Sequence, residues 1–269
     1  MNESRNRAFL YGESVFTTMR MENNHIRDWE AHYERLKRGV EFLYGPFKED
    51  DWAMELKNRL ETRCQNEEGD KILRIAIYTE QERGLQRPSM ISVSELKINL
   101  GVSNFDESRF DPSKPLSLRT CPAFIKPAWW PSFLKAGNYL ETILAQKKYL
   151  QPGDDDVLFL SEEDHALESS VANIFVVKND KLYTAPLGPN VLDGVARRRV
   201  LSESNKIFSE VIEESSSIEQ IYKAEGVFGS NSIRGLFLIG KIDDHDLSFS
   251  EEFKVKFDSL RSKIWHEKD

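Results

Sequence analysis

Two short tracts hold the residue types best suited to covalent chemistry. The first is Leu134-Lys135-Ala136-Gly137-Asn138-Tyr139. The second, further along, is Leu167-Glu168-Ser169-Ser170-Val171-Ala172-Asn173-Ile174-Phe175. A neutral lysine amine adds to an aldehyde. A carboxylate that opens an apolar strand is costly to bury without a cation, and a protonated aromatic nitrogen would be such a cation. Lys135 lies in a tract with Trp129 and Trp130 and few charges, where partial desolvation would lower its pKa and enlarge its nucleophilic fraction. Lys126, followed by proline, is a weaker rival. Taken singly, Lys135 reads as a surface charge and Glu168 as an exposed acid at a strand start.

Two further tracts suit an oxyanion. Gly194 precedes the basic, helix-competent run Val195-Ala196-Arg197-Arg198-Arg199. Backbone amides at a helix start have no partner one turn earlier, and the helix dipole favours an anion there. Gly229-Ser230-Asn231-Ser232, after the apolar Val227-Phe228, offers hydroxyls and amides to the same group. An ordinary helix entry and a plain turn are the blander readings.

The elements that must position these residues follow from the pattern. Ser14–Met21 reads as a strand, Asn23-Asn24 as a turn and His25–Arg27 as a short returning strand. Asp28 is expected to cap a helix with Trp29, Tyr33, Leu36, Val40 and Leu43 on one face. A second helix is predicted over 48–65, with strands over 71–79 and 90–96 separated by a polar loop at Arg83-Gly84-Leu85. Residues 99–115, with Gly101, Pro112 and Pro115, read as a linker between an N-terminal domain (1–98) and a C-terminal domain (116–269) that carries Lys135. Beyond it, strands are predicted over 116–121, 157–160, 173–177 and 182–183, with helices over 138–150 and from Gly194.

Composition narrows the class. Hydrophobic residues at 39% and charged ones at 30% indicate a globular chain, and a net charge of −8 argues against a nucleic-acid partner. No apolar run has the length of a membrane span, and the N-terminal residues do not resemble a secretory signal. Two distant cysteines and five scattered histidines give neither a disulfide framework nor metal-ligand spacing, so a cytoplasmic location without a metal is expected.

In order, these tracts resemble the class IV (fold type IV) pyridoxal phosphate enzymes, which include 4-amino-4-deoxychorismate lyases and branched-chain and D-amino acid aminotransferases. The resemblance spans Arg7 to Ile239. It rests on Tyr11-Gly12-Glu13-Ser14-Val15-Phe16, His32-Tyr33-Glu34-Arg35-Leu36, Lys135 to Tyr139, Glu168 to Phe175, Leu192 to Arg197, and Gly229 to Ser232. It implies an α+β, two-domain fold of the D-amino acid aminotransferase type, with pyridoxal 5'-phosphate in the interdomain cleft, and a homodimer. Lys135 resembles the Schiff-base lysine and proton shuttle, Glu168 the partner of the pyridine nitrogen, and Arg35 the arginine that clamps the phosphate. From its helix alone Arg35 would be a surface residue. Val195 and Ala196 are similar to the phosphate-binding amides, Ser232 to a further phosphate donor, and Tyr139 to a tyrosine that contacts the cofactor. Glu13 stands where the family usually has Asp, and Ala196 where it has Thr, Ser or Met. The chain also starts late against the family pattern, which leaves out a first β-strand and implies either an open sheet edge or a misplaced start.

Phe16-Thr17-Thr18 resembles the lyase Phe-Thr-Thr, where branched-chain aminotransferases usually carry Phe-Glu-Gly. By that likeness Thr18 is catalytic, handling substrate or a proton. Arg83-Gly84-Leu85 is similar to a lyase loop whose arginine meets a chorismate-type carboxylate. Lys135-x-x-Asn has the lyase and D-amino acid aminotransferase spacing, while the aromatic Tyr139 is less typical of a lyase. The expected activity is therefore release of p-aminobenzoate and pyruvate from 4-amino-4-deoxychorismate. The alternatives are amino acid transamination and a degenerate, non-catalytic binding protein.

Overall fold

The computed structural model describes residues 5–46, 52–64, 69–80, 93–111, 114–123 and 127–266. The chain divides into two units. One is Met1–Asp106 with Phe133–Tyr139, the other Glu107–Ser132 with Leu140–Asp269.

The first unit holds α1 (Arg7–Tyr11), β1 (Val15–Glu22), β2 (His25–Ile26), α2 (Trp29–Tyr44), α3 (Trp52–Cys64), β3 (Lys71–Thr79) and β4 (Leu96–Asn104). Its antiparallel sheet has the order β2-β1-β3-β4. Period-two alternation sends Val15, Thr17, Met19 and Met21 of β1 to the same face as Leu73, Ile75 and Ile77 of β3, and all are buried. The buried side of α2, with Leu36 and Val40, covers this face. Each such fully buried aliphatic contributes about 1.5–3 kcal/mol. The approach is close: a Cβ on Gly39 would lie 3.0 Å from Val15 Cγ1. Phe16, Thr18, Arg20 and Arg74 point to the opposite face, with Thr18 paired to Arg74 in register.

Four expectations are corrected here. Asp28 occupies the N-cap of α2 but takes a left-handed conformation (φ 52°), and its side chain makes no capping bond. The segment 99–104 is not linker. It belongs to β4, whose alternating Leu96, Ile98, Leu100 and Val102 face one way and pair with β3. Of the strand expected over 90–96, residues 90–92 lie outside the described residues, Val93–Glu95 form a 3-10 turn, and the strand begins at Leu96. Lys135 clusters with the first unit rather than the C-terminal one, because its segment pairs with β1. The expected loop at 83–85 and Lys126 lie outside the described residues.

The second unit holds β5 (Leu116–Pro122), α4 (Leu140–Tyr149), β6 (Asp156–Leu160), β7 (Ala166–Ser169), β8 (Asn173–Lys178), β9 (Lys181–Thr184) and α5 (Val195–Ser204). It continues with β10 (Glu210–Glu213), α6 (Ile218–Tyr222), β11 (Gly226–Asn231), β12 (Gly235–Ile242), β13 (His245–Asp246) and α7 (Glu251–His266). The strand order is β10-β9-β8-β11-β12-β5-β6-β7, and β7 pairs again with β8. Strands β8, β11, β12, β5, β6 and β7 therefore close a ring, and Glu168 opposite Asn173 is the rung that closes it. Leu118, Leu158, Ile174, Val176, Val227, Phe237 and Ile239 form one core cluster. Phe175, Phe228 and Val177 form a second with Val200 of α5 and Phe253, Phe257 and Leu260 of α7.

Candidate active site

In the first unit, β1 and the returning segment Phe133–Tyr139 position Lys135. Phe16 N–H donates to the Lys135 carbonyl at 2.9 Å, and Gly137 N–H donates to the Ser14 carbonyl at 2.9 Å. The two segments run so close that a Cβ on Gly137 would lie 2.1 Å from Ser14 Oγ, and the serine hydroxyl would have to turn away to admit it. Phe133 anchors the segment to α2. Its ring meets Phe42 edge-on, and the Arg38 guanidinium stands 4.2 Å from its centroid. Lys135 is half-buried. Its Nζ donates to Tyr139 Oη at 2.9 Å and lies 4.7 Å from the Phe16 ring centre. The Arg74 guanidinium lies 3.7 Å from the same ring. Lys135, Tyr139, Phe16 and Arg74 thus share one neighbourhood, and Thr18 sits beside Arg74 in the sheet.

On the other face of β1, Arg35 is only 5% exposed, contrary to the reading of its helix as surface. It points at β1 because the i, i+3 spacing puts it with His32 on the buried stripe of α2. Its Nη2 donates to Thr17 Oγ1 at 3.2 Å, and Thr17 Oγ1 lies 2.6 Å from His32 Nδ1. Complete burial, with the charges of Arg35 and Lys135, pushes the His32 pKa well below its usual value and keeps the ring neutral.

In the second unit, Glu168 Oε2 accepts from Leu192 N–H at 2.7 Å and from Asn173 Nδ2 at 3.3 Å. Asn173 Nδ2 also donates to the Leu192 carbonyl at 2.9 Å. One amide therefore ties Glu168 to the loop that enters α5. Gly194 is the N-cap of α5, and a Cβ there would come within 2.3 Å of Asn173 Oδ1. Asp193 holds this entry from outside through Arg198, with contacts of 2.8 and 2.5 Å. Val195 and Ala196 are the first two helical residues, so their amides lack an intrahelical acceptor. Ser230 faces Asn173 across β11 and β8. It is 1% exposed, and among the described residues its Oγ has no hydrogen-bond partner. Ser232, the serine singled out from the sequence, lies two residues on, in the turn after β11.

Taken by itself, the first unit offers an amine and a buried guanidinium, groups that suit an aldehyde and an oxyanion. Taken by itself, the second offers an acid that accepts from two N–H donors, helix-start amides and an orphaned buried hydroxyl, groups that suit a basic ring nitrogen and a phosphate. Arg83 lies outside the described residues. Sequence reasoning missed Thr17, His32, Arg74, Asn173 and Ser230. The i, i+3 pairing of His32 with Arg35 and the strict alternation of β1 were the available signals for the first two. Among the described residues no cluster suits a metal, and no helix is long and apolar enough to cross a membrane.

Residues 14–242 match the amino-transferase class IV family. An aminodeoxychorismate lyase from Vibrio harveyi is 24% identical, covering 86% of this chain and 83% of its own. A probable branched-chain-amino-acid aminotransferase from Aquifex aeolicus is 24% identical over 96% of this chain and 86% of its own. Among solved structures, a 4-amino-4-deoxychorismate lyase described as putative, from Legionella pneumophila, superposes with a TM-score of 0.81. It is 26% identical and covers 97% of this chain and 94% of its own. The fold is that of the fold type IV enzymes. The chain belongs to the amino-transferase class IV family and is a pyridoxal-phosphate-dependent lyase or aminotransferase of that class.

Proposed function

We propose that the chain is a 4-amino-4-deoxychorismate lyase, acting as a homodimer with pyridoxal 5'-phosphate. The observation that carries this reading is the position of Thr18. Its side chain points to the face of the sheet that carries Phe16, against whose ring Lys135 Nζ lies, and beside the exposed Arg74. An aminotransferase needs a proton moved between two carbons, for which one lysine suffices. Elimination needs an additional group where the leaving fragment departs, and a hydroxyl there can carry a proton.

Bound pyridoxal phosphate supplies the electron sink; the side chains do the rest. Lys135 would hold the cofactor at its aldehyde and move the substrate proton. Tyr139, 2.9 Å from Lys135 Nζ, orients the amine. Glu168 would hold the ring nitrogen, with Leu192 N–H and Asn173 keeping its carboxylate in place. Arg35, the amides of Val195 and Ala196, and Ser230 or Ser232 hold the phosphate. Arg74 meets a substrate carboxylate, and Arg83 is assigned a similar task on its resemblance to the lyase loop.

Transamination is the second reading, and Tyr139 favours it, since an aromatic residue there is less typical of a lyase. The relatives include both kinds of enzyme. Purified protein supplied with 4-amino-4-deoxychorismate is expected to release p-aminobenzoate, and Thr18→Val is expected to suppress that release. Amino-group transfer to 2-oxoglutarate without p-aminobenzoate would replace the lyase reading with the aminotransferase one.

A further inference from the structure

The chain His32–Thr17–Arg35 has a purpose that packing does not explain. All three residues are nearly inaccessible, at 1%, 1% and 5%. Arg35 can only donate, so the Thr17 oxygen accepts from its Nη2. The same oxygen lies 2.6 Å from His32 Nδ1, a hydrogen bond that either imidazole tautomer can make, since the hydroxyl keeps a second lone pair and its own proton. Among the described residues His32 Nε2 is buried without a hydrogen-bond partner. An unsatisfied buried polar group costs about 1–3 kcal/mol, which an apolar side chain in the same space would avoid. The fold accepts this cost and keeps a ring nitrogen beside Thr17.

We propose that His32 and Thr17 are positioning residues that set the plane of the Arg35 guanidinium for an oxyanion, the phosphate of the cofactor. This rests on the cofactor reading of the previous section. Arg35 alone, on a flexible stem, can sample several rotamers. Anchoring one Nη2 proton to Thr17 fixes the direction of the remaining fork. Thr17 in turn cannot rotate without leaving the imidazole nitrogen. The second threonine of the pair, Thr18, faces the other way and plays no part here. The two adjacent hydroxyls therefore have separate tasks, one on each face of β1.

The test compares affinity for pyridoxal phosphate with affinity for pyridoxal, the same ring without its phosphate, by absorbance titration. The readout is the ratio of the two dissociation constants, which general loosening of the fold would leave unchanged. Wild type is expected to prefer the phosphate form strongly, and Arg35→Met to lose most of that preference. Thr17→Val and His32→Phe are expected to lower the ratio about tenfold or more, the equivalent of one misdirected charge-assisted hydrogen bond. Thr17→Ser, which restores the hydroxyl, is expected to restore the ratio. A wild-type ratio in folded Thr17→Val and His32→Phe would overturn the proposal. If either variant fails to fold, Thr17→Ala and His32→Gln provide the same comparison. A wild type that binds neither compound would instead remove the cofactor reading, and the positioning proposal with it.

Discussion

The two units prepare their functional groups in opposite ways. In the first, side chains fix side chains. Lys135 arrives on a segment distant in sequence from β1, pinned there by the Phe133 anchor and two backbone bonds, and Arg35 is aimed through Thr17 and His32. In the second, the backbone does most of the positioning. Glu168 sits on the rung that closes the ring of strands, and its main strong donor is the Leu192 amide. Under the proposed function, the first arrangement aims the cations that would move a proton or grip an anion. The second holds a carboxylate and amides that need only stay still. Adjustable chemistry sits on adjustable groups, and fixed electrostatics on the main chain.

The largest expected effect is on the adjustable side. Lys135→Ala should abolish the visible absorbance of bound cofactor and reduce turnover by about 10³-fold or more, checked by spectra and by mass shift after borohydride reduction. A fully active variant would move the catalytic base elsewhere. On the fixed side, Glu168→Gln keeps the shape and removes the charge. It should lower kcat by about 10²-fold with a smaller change in cofactor affinity, measured by steady-state kinetics beside titration. An equal loss in both would mean that Glu168 binds rather than tunes.

Gly194→Ala sharpens the contrast further. The new methyl must displace Asn173 Oδ1, and rotating Asn173 drops its bonds to Glu168 and Leu192. A loss of about 1–3 kcal/mol in stability by denaturant titration is expected. Combined with Asn173→Ala, the losses should fall well short of additive. Additive losses would separate the glycine from the amide.

The smallest effect concerns pH and belongs to the first unit. The folded His32 pKa is depressed, so the stability linked to it is present above the unfolded value near 6.5 and lost as pH falls below it. Between pH 7 and 5, wild type should lose up to about 1.4 kcal/mol per unit more than His32→Phe does. Parallel stability curves would show that His32 titrates normally.

This contrast also accounts for what could be read from the sequence. The cluster in the second unit is compact in sequence: Glu168, Asn173, Gly194 and Arg198 fall within one short stretch whose turn and helix-entry signals are local. The cluster in the first unit depends on contacts between distant segments. Nothing near Lys135 says that Ala136 pairs with Val15, so the lysine was assigned to the wrong unit. Arg35 looked solvent-exposed because its burial depends on which face of α2 meets β1. The strand β4 was hidden for a different reason. Gly101 and the polar residues between its apolar ones resemble linker composition, although their alternation is that of a strand. The burial of Ser230 opposite Asn173 is set by strand register, which the local Gly-Ser-Asn-Ser pattern does not reveal.

The rung of Glu168 and Asn173 has one more consequence. The residues between them, Ser169 to Ala172, form a tight link in which Ser169 N–H donates to the Ala172 carbonyl and Ser169 Oγ accepts from the amides of Val171 and Ala172. Its length acts as a ruler. Adding or removing a single residue there would shift the register by one and turn the acid or the amide to the opposite face of the sheet. Most surface connections in a protein tolerate such edits, but this one sets the spacing on which both barrel closure and the acid's aim depend.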